Sequence, residues 1–136
     1  MPAPRQAPPV PAAYMRLLIA LALVSAWSMV PPFLTEIDVA RSVEVVDHVI
    51  PGLIALGASL VALAAARRGE PESARALVAI GVCTVASLWE VGTHLTLILD
   101  AGESGRPVGA VLLHASPGFV MLGLSGWLLL APPGSR

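Results

Sequence analysis

Two stretches of the chain, HVIPGLIALGAS at His48–Ser59 and HASPGFVMLGLS at His114–Ser125, share the pattern His-x-x-Pro-Gly-x-x-x-Leu-Gly-x-Ser. Each opens an apolar run long enough to cross a bilayer, so a polar imidazole stands at the start of a membrane helix in two equivalent places. A pattern that returns once, each time behind another apolar run, predicts a duplicated helical hairpin.

The composition agrees. Of 136 residues 56% are hydrophobic and only 12% charged, and the mean hydropathy is +0.80, which places the chain in the membrane class rather than among soluble domains. Lysine and asparagine are absent, a bias that fits a GC-rich bacterial genome. With a net charge of −1 and no basic cluster beyond Arg67 and Arg68, nucleic acid is excluded as a partner. The single cysteine, Cys83, rules out an intrachain disulfide and any CxxC motif.

Working outward from the repeat, four apolar spans are expected. The first runs from about Tyr14 to Leu34 and is stopped by Pro31 and Pro32. The second runs from near Val45 to Ala66, the third from about Ala74 to Leu99, and the fourth from about Val108 to Leu130. Residues 1–13 form a proline- and alanine-rich tail with too little apolar bulk to fold, and 132–136 a short C-terminal tail. The transmembrane domain therefore covers 14–131, with hairpins at about 14–67 and 74–131. Val24-Ser25-Ala26 also resembles a signal-peptide cleavage site, but its removal would leave the first hairpin with one helix.

Basic residues in short loops stay on the cytoplasmic side. Arg5, Arg16, Arg67, Arg68, Arg75 and Arg136 all fall on one side of a four-span arrangement, so both termini are expected in the cytoplasm of a bacterial inner membrane. The outer loops collect Glu36, Asp38, Glu44, Asp47, Asp100 and Glu103. Two hairpins of two crossings each point the same way, making a parallel repeat about an axis along the membrane normal.

The helix faces carry the functional reading. His48, Gly52, Ala55, Ser59, Ala62 and Ala66 step by four and three residues and share one stripe. Gly118 and Ser125 continue the stripe that His114 begins. Small residues of this kind let helices pack closely in lipid. On the third span Cys83, Ser87, Glu90 and His94 form a polar stripe, with Glu90 and His94 one turn apart. A carboxylate at membrane depth is costly unless paired, protonated or wet. By helix rise, all three histidines of the chain lie roughly 5 to 10 Å from the outer helix ends. If the stripes face one another, His48, His94, His114 and Glu90 converge there, with Asp47 at the rim.

Three imidazoles and a carboxylate suit zinc or copper(II), and two imidazoles from facing helices suit a haem iron. A Glu and His pair also suits proton-coupled transport of a small solute or a quinone head group. The same residues fit a purely structural role, each imidazole bonding a carbonyl and Glu90 held by His94 or a hydroxyl. Trp27, Trp89 and Trp127 with Tyr14 read as packing or interfacial residues, and Ser25 and Ser28 as lining or packing ones. No nucleophile elbow or phosphate-cradling loop is present, so a hydrolase or kinase is unsupported.

Ser25-Ala26-Trp27 followed by Pro31 and Pro32, and Ser87-Leu88-Trp89 in the third span, resemble the motif of small bacterial membrane proteins built from SPW repeats. Alanine and leucine stand at the motif's central proline. Across Tyr14–Leu130 the resemblance implies a four-helix integral membrane protein with no assigned activity and no site residues. The expected protein is thus an all-α membrane bundle of packing or accessory role, partnered by the lipid bilayer and by other membrane proteins or copies of itself. A transition-metal or haem site at its outer end is the alternative.

Overall fold

The computed structural model describes residues 9–34, 43, 45–103 and 105–133. The expected tail over 1–8, most of the polar connection 35–44 and the last three residues lie outside them. Among the described residues the chain is helical, without strands. Helix α1 spans Ala12–Trp27, α2 Val45–Arg67, α3 Ala74–Asp100 and α4 Val108–Leu130. The last three are long and apolar enough to cross a membrane.

Helix α1 has 16 residues, about 24 Å of rise, which is short of a ~30 Å hydrocarbon core. It ends at Trp27 because Pro31 and Pro32 have no N–H to offer the carbonyls of Trp27 and Ser28. The Trp27 carbonyl instead accepts from Val30 at 2.9 Å, and a single helical turn follows at Pro31–Leu34. The expected span to Leu34 is therefore two pieces with a bend between them.

The helices form a ring in which neighbours in sequence are neighbours in space, α1 closing it against α4. The core is lined by Leu18 and Leu21 of α1, Ala55 and Ala62 of α2, Ile80 and Cys83 of α3, and Met121 and Leu128 of α4. Every predicted packing residue is buried: Gly52, Ala55, Ser59, Ala62, Gly118 and Ser125. A Cβ on Gly52 would stand 2.5 Å from Met29 Cγ and 3.2 Å from the Ser25 carbonyl oxygen, so α1 and α2 touch at a point that only glycine permits. The opposite faces expose Leu53, Leu60, Val78, Val85, Leu113 and Val120. An apolar exterior over a core that contains serines, histidines and a glutamate is the arrangement that lipid favours.

The two copies of the repeated motif solve one backbone problem differently. A proline inside a helix leaves the carbonyl four residues earlier without its donor. In α4 the orphan is Leu113, and the Ser116 hydroxyl donates to it at 2.7 Å, so the helix continues unbroken through Pro117. In α2 the orphan is Asp47, and Ile50 stands where the serine would be. Here Val45–Val49 winds as a wider π-helical turn before Ile50–Arg67 continues as α-helix. His48 belongs to that turn.

Candidate metal centre

His48 comes from the first turn of α2, His94 from near the end of α3 and His114 from near the start of α4, which brings all three to one end of the ring. Helices α2 and α4 lie diagonally across it, and their histidines meet over the axis: the Nε2 atoms are 2.7 Å apart. The three ring centroids are separated by 4.3, 4.5 and 5.3 Å. One nitrogen from each ring falls within 4.8 Å of the other two. Burial is complete, with His48 at 0%, His94 at 2% and His114 at 1% exposure.

The remaining contacts sort the nitrogens. His94 Nδ1 donates to the Glu90 carbonyl at 2.6 Å, one turn back on its own helix, so Nε2 carries the lone pair. The Thr93 hydroxyl reaches the same carbonyl at 3.0 Å. His48 Nδ1 lies 3.2 Å from Glu90 Oε1. When the carboxylate accepts from that N–H, His48 Nε2 becomes an acceptor and His114 Nε2 the donor to it. The metal-free arrangement is thus a chain from His114 through His48 to Glu90.

Glu90 is fully buried. Its stem is seated against α4 where Gly118 leaves room, since a Cβ there would stand 3.1 Å from Glu90 Cγ and 3.2 Å from Cδ. Oε1 holds His48, and Oε2 has no hydrogen-bond partner among the described residues. The Ser28 hydroxyl is within hydrogen-bonding reach of this carboxyl as well as of the Ser25 carbonyl, at 2.9 Å. Asp47 is half-buried at the edge of the layer.

Of the residues singled out from sequence, His48, His94, His114 and Glu90 form one connected cluster. Cys83, on the same stripe of α3, does not join it and donates to the Ala55 carbonyl at 3.3 Å. Below the histidines Ser25, Ser59, Ser87 and Ser125 are buried, each bonded to a carbonyl of its own helix. The sequence reading passed over Ser116, whose signal was a hydroxyl residue directly before an in-helix proline. It read Ser28 only as a lining or packing residue, although its position three residues after Ser25 puts it one turn nearer the histidine layer. The chain matches no known family model, curated protein or solved structure.

Proposed function

We propose that the chain is a small integral membrane protein that binds one transition-metal ion, zinc or copper, through Nε2 of His48, His94 and His114. The observation that carries this reading is the commitment of the other ring nitrogens. A ligating histidine almost always gives its second N–H to a carboxylate or a backbone carbonyl, which fixes the tautomer and aims the lone pair. Here His48 faces Glu90 Oε1 and His94 faces the Glu90 carbonyl. Glu90 is thereby an orienting group behind two ligands rather than a ligand itself.

A zinc–imidazole bond of about 2.0–2.1 Å sets tetrahedral nitrogens roughly 3.3 Å apart, so His48 and His114 part by about half an ångström to admit the ion. The ion replaces the proton they share. A haem fits less well: imidazoles on opposite faces of a porphyrin stand either side of the macrocycle, whereas these two rings touch directly. A packing role accounts for the glycine and alanine seams. It gives no reason to bury three imidazoles and a carboxylate together, since their mutual pairing at best offsets a desolvation cost that apolar side chains of similar volume would not incur. Passage of a solute along the axis is opposed by Leu18, Leu21, Ile80, Met121 and Leu128, all fully buried below the polar layer.

In this reading α1, extended by the turn at Pro31–Leu34, makes a fourth crossing in two parallel hairpins. Both termini are in the cytoplasm of a bacterial inner membrane, and the metal lies near the outer surface. Elemental analysis of the detergent-purified protein tests the proposal. Near-stoichiometric zinc or copper, lost in His94→Ala, supports it; a metal-free protein that also takes up neither ion on dialysis against it overturns it.

A further inference from the structure

An imidazole that ligates through Nε2 keeps its proton on Nδ1 and is neutral, so the three histidines bring an ion no charge. One nitrogen from each ring lies within 4.8 Å of the other two, and neither Glu90 nor Cys83 belongs to that group. Apolar clusters lie on both sides of the layer, with Ile80 and Met121 toward the core and Leu97, Ile98, Ala101 and Val111 farther out along α3 and α4. Among the described residues Glu90 is the one fully buried acid. It faces His48 Nδ1 and has the Ser28 hydroxyl within hydrogen-bonding reach. Two donors directed at one carboxyl group suit its ionised form, which only accepts. Asp47, half-buried at the edge of the layer, is open to screening by solvent. A single buried negative charge therefore stands behind the three nitrogens.

Imidazole serves zinc and copper alike, so ligand type does not choose between them. Charge and coordination number do. Bringing an ion into such surroundings costs free energy in proportion to the square of its charge, about fourfold more for a divalent ion than for a monovalent one of the same size. One carboxylate cancels a single positive charge and leaves a divalent ion half balanced. Zinc(II) also takes a fourth ligand, ordinarily water where the protein gives three, and copper(II) favours tetragonal sites. Copper(I), with a filled d shell and one charge, is content with three ligands. We propose that the site selects copper(I) over zinc(II), holding it in a three-coordinate arrangement between Nε2 of His48, His94 and His114, with Glu90 as the counter-charge behind His48. This rests on the metal reading above and chooses between the ions that reading allows.

The test uses full-length protein in detergent, under argon and with ascorbate to keep copper reduced. Copper(I)-loaded protein is dialysed against an approximately tenfold excess of zinc sulfate, and zinc-loaded protein against an equal amount of copper(I) supplied as its acetonitrile complex. Copper(I) is expected to be retained in the first case and to replace zinc in the second. X-ray absorption at the copper edge is expected to show three nitrogen neighbours. Zinc that displaces copper(I) or resists it, or copper with four or more ligands, overturns the inference and leaves the metal site standing. Sulfur in place of the nitrogen neighbours, copper uptake unchanged in His94→Ala, or uptake of neither ion overturns both.

Discussion

His48 and His114, 66 residues apart in sequence, hold their Nε2 atoms 2.7 Å from each other inside a core from which solvent is excluded. Each occupies the first position of the repeated motif, and each is supplied by a helix that does not neighbour the other in the ring. The two copies of the motif thus have their histidines face to face across the axis. The third ring and the carboxylate come from α3 between them.

The cluster makes a graded prediction. In the proposed metal site His48→Ala, His94→Ala and His114→Ala each remove a ligand, whereas Glu90→Gln removes only an orienting acceptor from His48. The glutamine variant is expected to lose roughly 10- to 100-fold in metal affinity, and each alanine variant more. Competition titration against a chelator of known affinity measures the order; a glutamine variant as impaired as the alanine variants would make Glu90 a ligand.

Gly52 and Gly118, the glycines that follow the motif's proline, are expected to fail in different ways. Gly118→Ala pushes on Glu90 Cγ and Cδ, so metal affinity falls about tenfold with modest loss of stability. Gly52→Ala meets Met29 Cγ and, with less room to yield, the Ser25 backbone oxygen; overpacking of this sort costs about 1–3 kcal/mol. Gly57→Ala and Gly123→Ala meet nothing within 4 Å and serve as controls. Thermal unfolding in detergent and metal titration, run on all four, separate the two effects.

Ser116→Ala is expected to destabilise the protein by about 1–3 kcal/mol, because Pro117 cannot supply the donor that the Leu113 carbonyl would then lack. Ser125→Ala should cost less, since the Leu122 carbonyl that it reaches at 3.4 Å precedes no proline and keeps its helical partner. Paired melting curves decide between them.

The proposed orientation is testable with introduced thiols. Cys83 is buried and is replaced by serine to clear the background. Glu70→Cys, in the link between α2 and α3, is expected to react with a membrane-impermeant maleimide only after spheroplasts are lysed. Glu103→Cys, between α3 and α4, should react in intact spheroplasts. The reverse pattern would put the histidine layer on the cytoplasmic side.

Much of the fold was legible in the residues because lipid imposes simple rules on length and polarity. Helices α2, α3 and α4 begin and end within a residue or so of the expected limits, marked by Arg67 and Arg68, by the Ser73 cap on Ala76, and by Pro107. The helix face of His48, Gly52, Ala55 and Ser59 followed from the 3.6-residue period, as did the pairing of Glu90 with His94 on one side of α3. By these rules the sequence alone determined that the chain is an apolar helical protein with its histidines at one level. Tertiary structure decided the rest. Periodicity states which residues share a face but not which faces meet, at what rotation or at what height, and those were set by close approaches at Gly52 and Gly118. Only packing showed that α2 and α4 touch across the diagonal through their imidazoles. Only packing placed Glu90 against His48, because one carboxylate oxygen reaches the Nδ1 of that ring.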